Sequence, residues 1–91
     1  MAITVKVSIQ LRRLTNGKSE IKAEGQTVAE VLADLSAKFP FLAEKLFTPD
    51  GTPQQFVNFY VNGEDVRYRL GLATPLTSAD ELLLLSAVSG G

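Results

Sequence analysis

The sequence predicts an α+β domain: a mixed sheet of four to five strands with one main helix across one face. Three observations lead to this. The chain opens on alternating apolar and polar residues, the pattern of a strand with one buried face. A stretch with the helical period of about 3.6 residues follows. A run of leucines near the end predicts a last strand, and if it pairs in parallel with the first, the crossover between them needs a helix.

The first two strands are expected to form a hairpin. The first strand buries alternate apolar side chains, namely Ile3, Val5, Val7 and Ile9. The segment Thr15-Asn16-Gly17 favours a turn, because Asn and Gly tolerate positive φ. Residues 19–23 then return as the second strand.

The main helix has clear start and stop signals. Thr27 is the predicted N-cap, and Glu30 three residues later completes a capping box. Pro40 ends the helix, because the residue before proline is disfavoured in the α region. One stripe should face the sheet: Val28, Val31, Leu32, Leu35 and Phe39. A second helical turn over residues 42–47 and a loop rich in Pro and Gly should follow.

The remaining strands lie in the C-terminal half. Residues 56–62 predict a third strand, and Asn62-Gly63 favours a tight turn. Residues 66–68 are expected to form a short fourth strand. After a loop that contains Pro75, residues 81–88 form the predicted last strand.

The last strand is apolar on both of its faces. Four consecutive leucines occupy it, Leu82 to Leu85. A central strand buried on both sides would explain this pattern. A single helix cannot cover both faces of the sheet, however, so we expect one set to form a partner surface. That set is either Leu82 with Leu84, or Leu83, Leu85 and Ala87.

Composition excludes several classes of function. The chain has 91 residues, which suits one domain, and it contains no Cys and no His. Disulfides, zinc-thiolate sites and thiol nucleophiles are therefore excluded, and the usual general base is absent. The adjacent carboxylates Glu64-Asp65 and Asp80-Glu81 are interpreted as solvated residues beside turns. We therefore expect no enzyme, no bound metal and no bound cofactor.

Charge and hydropathy argue against two kinds of partner. The net charge is −1 and no segment concentrates Lys or Arg, so nucleic-acid binding is not expected. The longest apolar run is far too short to span a membrane. Residues 1–7 alternate like a strand and lack the basic and apolar regions of a signal peptide, which predicts a cytoplasmic protein.

The chain ends at Val88-Ser89-Gly90-Gly91. Two glycines without Cβ atoms make a thin, flexible arm that can enter a narrow cleft and present a terminal carboxylate. We therefore expect a domain over residues 1–88 and a tail over residues 89–91. Chance or an appended tag would also give two final glycines, but the last strand runs directly into them, which argues against a tag.

The order of elements, together with the terminal Gly-Gly, resembles the ubiquitin-like β-grasp sulfur carriers. These include the small subunit of molybdopterin synthase and the thiamin sulfur carrier. Residues 56–67, with the sequence FVNFYVNGEDVR, are most similar to the sulfur carrier of a cysteine-biosynthesis branch. The same holds for residues 71–74.

The resemblance implies a protein co-substrate that is loaded in two steps. An ATP-dependent adenylating enzyme of the ThiF/MoeB type would join AMP to the carboxylate of Gly91. A sulfur donor, such as a sulfurtransferase, would then displace AMP and leave a thiocarboxylate. The acceptor would be a synthase, such as a cysteine synthase or the large subunit of molybdopterin synthase. ATP belongs to the activating enzyme and not to this chain.

The resemblance also implies roles for particular residues. Gly91 would carry the acyl group, and Gly90 would allow passage through the enzyme's cleft. Relatives place an exposed apolar contact where Leu85 lies, which favours Leu83, Leu85 and Ala87 as the partner face. Either Arg12 or Arg13 matches a basic position near the activating enzyme, although a solvated role is equally open.

Three other functions share these features. A ubiquitin-like modifier would form an isopeptide bond from Gly91 to lysines of other proteins. The chain could instead be a molybdopterin synthase small subunit, since the sequence does not identify the sulfur acceptor. A plain β-grasp interaction module would leave the tail inert.

Overall fold

A computed structural model describes residues 2–86 of the chain. Five strands form one sheet in the order β2-β1-β5-β3-β4. The strands are β1 (Ala2–Val7), β2 (Glu20–Glu24), β3 (Val57–Val61), β4 (Glu64–Asp65) and β5 (Glu81–Ser86), and the α-helices are α1 (Val28–Lys38) and α2 (Pro40–Leu46). Short 3-10 helices cover Ile9–Thr15, Val66–Tyr68 and Gly71–Ala73. The predicted α+β fold with a mixed sheet is confirmed.

The last strand lies at the centre of this sheet. β5 pairs in parallel with β1, with Val5 opposite Leu82 and Val7 opposite Leu84. On its other side it pairs antiparallel with β3, where Phe59 lies opposite Leu84. The first and last strands are therefore parallel neighbours, which meets the condition set by the sequence, and α1 lies in the crossover between them.

The hydrophobic core lies between one face of the sheet and the two α-helices. The inward residues of β5, Leu82 and Leu84, are fully buried. The stripe of α1 is buried as predicted, except that Phe39 is only partly buried. α2 contributes Leu42 and Leu46, both fully buried. One layer of helices thus covers one face of the sheet and leaves the other face uncovered by helix.

The capping box of α1 forms with one difference. The Thr27 side chain accepts a hydrogen bond from the Glu30 N–H at 3.2 Å, but the Glu30 carboxylate accepts from the Gln26 N–H at 2.9 Å. α1 ends at Lys38, and Pro40 begins α2 as its first residue, where proline is well tolerated. None of the helices among residues 2–86 is long and apolar enough to cross a membrane.

The first strand is shorter than predicted. β1 ends at Val7, and Ile9 is 73% exposed instead of buried. The last bond of β1 toward β5 runs from the Ser8 N–H to the Leu84 carbonyl at 3.0 Å, after which the chain turns into a 3-10 helix. That helix brings Leu11 into the core in place of Ile9. The alternating pattern could not reveal this change of period.

The fourth strand is also misplaced in the prediction. Asn62 and Gly63 make the predicted turn, with φ values of 52° and 87°. The strand that follows is Glu64–Asp65, whereas residues 66–68 form a 3-10 helix. The reason is local: the Asp65 side chain accepts a hydrogen bond from the Arg67 N–H at 2.8 Å, which caps the helical turn.

We expect Gly25→Ala to destabilise the fold by about 2 kcal/mol, a typical cost of overpacking. A Cβ at this position would lie 2.7 Å from the Val31 N atom and 2.9 Å from Glu30, where α1 passes the end of β2. Gly51→Ala is the control. The φ of Gly25 is 156° and that of Gly51 is 89°, so both are positive, but a Cβ at Gly51 meets nothing within 4 Å. Urea unfolding measures the free energy of unfolding of both variants. A larger loss for Gly51→Ala than for Gly25→Ala would contradict this account.

Candidate functional site

The sheet face opposite the helices carries an apolar patch centred on β5. Leu83 lies opposite Lys6 of β1 on one side and Tyr60 of β3 on the other, and Leu85 lies opposite Asn58. We call Asn58, Tyr60, Leu83 and Leu85 the outer patch. All four are half-buried. Side chains directly opposite each other on neighbouring strands are in contact distance, so these residues form one continuous surface.

This arrangement decides between the two sets of leucines. Leu82 and Leu84 are the core set, and Leu83 and Leu85 face away from α1. The outward leucines are partly shielded by their neighbours, so neither is fully exposed. Ala87, the third residue of the predicted partner face, lies outside the described residues.

Within the described residues β5 reaches Ser86, opposite Val57, and residues 87–88 of the predicted last strand lie outside them. A small depression at this end of the sheet is lined by residues from four parts of the chain, including Gln10, Arg13, Lys45 and Phe56. We call Arg13 and Lys45 the exit rim, because they line this depression together with Ser86, the last described residue. The predicted tail residues Val88, Ser89, Gly90 and Gly91 lie outside the described residues, as does the predicted domain boundary at residue 88.

The two candidate arginines have different environments. Arg12 is half-buried, and its Nε donates a hydrogen bond to the Val7 carbonyl at 3.0 Å, which fastens the 3-10 helix to the end of β1. Arg13 is exposed at the exit and makes no ion pair among residues 2–86. The structure therefore makes Arg13 the better candidate for a partner contact and gives Arg12 a structural bond.

Lys45 is a candidate that the sequence did not reveal. It lies on α2 and is half-buried, and within the described part of the chain it has no ion pair. It is more than thirty residues from Arg13 in sequence, and only the packing of α2 beside the end of β5 brings the two together. The sequence around a lone lysine on a short helix does not indicate which distant residues it will lie beside.

Asp65 is buried, which corrects the prediction that Glu64-Asp65 is a solvated pair. Only 7% of its side chain is exposed, and the Arg67 Nη2 donates to it at 2.6 Å. The Arg67 side chain and its N–H hold the pKa of Asp65 below its ordinary value. The pair fixes the end of the β3–β4 hairpin, so the carboxylate is structural.

We expect the stability that Asp65 contributes to depend on pH. Its native pKa is lowered, so near and below the unfolded-state pKa of about 3.9 the unfolded chain binds more protons than the native one. The contribution is complete above that value and is lost as the pH falls through the native pKa. The gap in unfolding free energy between the parent and Asp65→Asn should narrow in acid, whereas a gap independent of pH would contradict this.

Asp80 remains half-exposed and also has a structural role. It accepts hydrogen bonds from the Thr77 N–H and from the Asn62 Nδ2, both at 2.8 Å. These bonds lower the pKa of Asp80. The Asn62 side chain in turn accepts from the Glu81 N–H at 3.0 Å, which ties the tight turn to the start of β5. Glu81 is exposed, as predicted.

The helical face offers little chemistry. A groove of about 760 Å³ between α1 and α2 is lined mainly by small or apolar residues, including Ala29, Ala33, Ala43 and Phe47. Glu44 is its ionisable residue. Residues 2–86 contain no cluster of carboxylates that could hold a metal ion. Among the described residues, the helical face therefore offers an apolar groove with a single ionisable side chain.

Comparison with known proteins identifies the family. The sequence pattern of the ThiS family matches residues 5–91. The chain belongs to the ThiS family. This ThiS-family chain is 41% identical to the protein named sulfur carrier protein CysO of Mycobacterium tuberculosis, over 93 residues that cover 100% of both chains.

Solved structures agree with this family. A chain of the BexX/CysO complex of Amycolatopsis orientalis superposes with a TM-score of 0.86 at 35% identity, covering 98% of this chain and 99% of that one. Small archaeal modifier protein 1 of Methanosarcina acetivorans superposes with a TM-score of 0.89 at 31% identity, covering 99% and 96%. The predicted ubiquitin-like β-grasp fold and sulfur-carrier family are confirmed, and with them the prediction of a protein co-substrate.

Proposed function

We propose that this chain carries sulfur as a thiocarboxylate on its C-terminal Gly91. The observation that supports this most is the central position of β5, which pairs with β1 on one side up to Leu84 and with β3 on the other side up to Ser86. The five residues that follow are therefore attached to a central strand of the sheet. The five residues after Ser86 can span at most about 17 Å, which suits insertion into a partner's active site.

The proposed chemistry has two balanced steps. The Gly91 carboxylate attacks the α-phosphorus of ATP and releases pyrophosphate, which converts a poor electrophile into an acyl adenylate. Hydrosulfide then attacks the acyl carbon and releases AMP, leaving the thiocarboxylate. An adenylating enzyme of the ThiF/MoeB type would catalyse the first step, and a sulfurtransferase could supply the sulfur. The chain itself contributes the acyl group and has no Cys to compete for sulfur.

The outer patch and the exit rim are the proposed contacts with these partners. The outer patch supplies half-buried apolar surface beside the chain end, and such surfaces mark partner interfaces. The rim adds two cations without an ion pair in residues 2–86, namely Arg13 and Lys45. Cations in this position favour an enzyme whose cleft is lined by acidic groups.

We further propose that the sulfur acceptor belongs to cysteine biosynthesis. The support is the 41% identity to the protein named CysO and the resemblance of residues 56–67 to the carrier of that branch. An acceptor enzyme such as a cysteine synthase would then take sulfur directly from the tail. We place this chemistry in the cytoplasm, where ATP is available for adenylation.

Incubation of the purified full chain with ATP, sulfide and an extract of the host tests the proposal. We expect a new species that reacts with a thiol-selective alkylating reagent, and fragmentation should place the label on Gly91. Omission of ATP should abolish the label. A label that forms equally without ATP, or none at all, would contradict loading by adenylation.

The second candidate is a ubiquitin-like modifier. The observation that favours it is the TM-score of 0.89 to small archaeal modifier protein 1, at 31% identity. In that case Gly91 would form isopeptide bonds with lysines of other proteins. The same incubation separates the two functions, because a modifier gives conjugates of higher mass that disappear when Gly91 is deleted.

A further inference from the structure

β2 is an edge strand with backbone groups directed away from the sheet. The Val7 N–H donates to the Ser19 carbonyl at 2.9 Å, and Val5 lies opposite Ile21. Because hydrogen-bonded and non-bonded pairs alternate along an antiparallel ladder, the N–H and C=O groups of Lys22 and Glu24 face outward. Outward groups on an edge strand are a template for pairing with another chain.

Two side chains of α1 form hydrogen bonds with two of these outward groups. The Asp34 carboxylate accepts from the Glu24 N–H at 2.8 Å, and the Lys38 Nζ donates to the Lys22 carbonyl at 3.3 Å. Asp34 and Lys38 also form an ion pair with each other at 2.9 Å. We call these two side chains the edge clip. The bond from Glu24 and the bond from Lys38 lower the pKa of Asp34, so the clip stays charged at neutral pH.

The edge of β2 is complementary to itself. In an antiparallel pairing of two copies, Lys22 of each copy can lie opposite Glu24 of the other. Each copy then brings a Glu24 N–H to a Lys22 carbonyl, and these are the two groups that the clip occupies. The same register places opposite charges across the junction twice, which stabilises a pair of strands.

We propose that the edge clip keeps this protein from pairing with a second copy of itself through β2. The pairing would join two five-stranded sheets into one. By preventing it, the clip keeps each chain end and each outer patch on a separate molecule, available to one enzyme at a time. The proposal rests on the geometry of β2 and α1 and not on the function of the tail.

Sedimentation analysis of the full chain tests this proposal. The variant Asp34→Ala/Lys38→Ala removes the clip, and we expect it to self-associate to a dimer with a dissociation constant at least about tenfold lower than that of the parent. The matched control is Lys6→Ala/Glu20→Ala, which removes an ion pair of 3.7 Å between the same two charge types without uncovering the edge groups. Parent and control should both remain monomeric.

The charge pattern gives a second, independent readout. Adding Lys22→Glu to the variant without the clip should dissolve the dimer, because acidic residues would then face each other. Adding Glu24→Lys as well should restore it. A variant without the clip that stays monomeric, a control that dimerises equally, or a dimer insensitive to Lys22→Glu would each overturn the proposal.

A single substitution covers the case in which the double variant does not fold. Lys38→Ala frees only the Lys22 carbonyl and leaves the Asp34 bond to Glu24 in place. We expect it to dimerise more weakly than the double variant and more strongly than the parent. Circular dichroism verifies the fold, and a folded Lys38→Ala variant that is as monomeric as the parent would refute the proposal.

Discussion

Deletion of Gly91 should abolish adenylation of the chain and leave its folded domain intact. The deletion withdraws the reacting carboxylate by about 3.5 Å along the chain. Because a misplacement of about 1 Å can reduce a rate by about 100-fold, we expect at least that loss. The measurement is ATP-dependent release of pyrophosphate by the activating enzyme, with circular dichroism as the test of folding.

Gly90→Ala tests the fit of the tail in the activating enzyme without shortening the chain. It keeps the chain length but adds a Cβ and restricts φ, so an enzyme that surrounds the tail closely should load it poorly. Ser89→Ala is the matched control, because it removes a hydroxyl group without adding bulk. Normal loading of the chain that lacks Gly91 would show that the terminal glycine is not the acyl carrier.

Truncation of the outer patch should give the second large effect. We expect Leu83→Ala/Leu85→Ala to weaken binding to the activating enzyme by at least about 30-fold, the effect of removing a hot spot of about 2 kcal/mol. The reason is that these leucines lie at the centre of the outer face, beside the end of β5. Isothermal titration with the purified enzyme measures the change.

Phe41→Ala is the control for the outer patch. Phe41 is 71% exposed on α2, away from the outer face, so its loss removes comparable apolar surface elsewhere. Melting temperatures show whether either variant is merely destabilised. Equal weakening of binding by Phe41→Ala, or unchanged binding after truncation of the two leucines, would contradict the assignment of the docking face.

Elements that depend on local pattern could be predicted from the sequence. The stripe of α1 up to Leu35, its Thr27 cap and its end before Pro40 were correct, because helical period, capping and proline sterics act within a few residues. The four leucines of β5 are apolar on both faces, which fits its central position, but the sequence left a central buried strand as one alternative and a strand with one exposed face as the other. These signals sufficed for the order of elements, whereas the parallel pairing of the first and last strands was only a condition that the helix between them allowed.

The errors lie where tertiary packing overrides local pattern. Ile9 continues the alternation of β1, yet Leu11 enters the core instead, and nothing in the alternation distinguishes them. Asp65 is paired with Arg67 only two residues away, but its burial depends on the fold around it. A carboxylate next to a turn is usually solvated, so its burial could not be read from sequence.

The candidate site was predicted in part for the same reason. The strand period and the coverage of a single helix left two sets of leucines open, and the resemblance to sulfur carriers favoured the set with Leu83 and Leu85. Lys45 and the edge clip could not be found, because each joins elements that are distant in the sequence. The resemblance to sulfur carriers supplied the role of the chain end, which no pattern of side chains encodes.

The most direct test of the central claim is the intact mass of the untagged protein purified from its native host. The account predicts a fraction whose mass exceeds that of the plain chain by the exchange of one oxygen for sulfur. This fraction should take up one alkyl group from a thiol-selective reagent, and fragmentation should place that group on Gly91, since the chain contains no Cys. Protein that is never labelled and occurs only in lysine-linked conjugates would contradict the sulfur-carrier account and support a modifier.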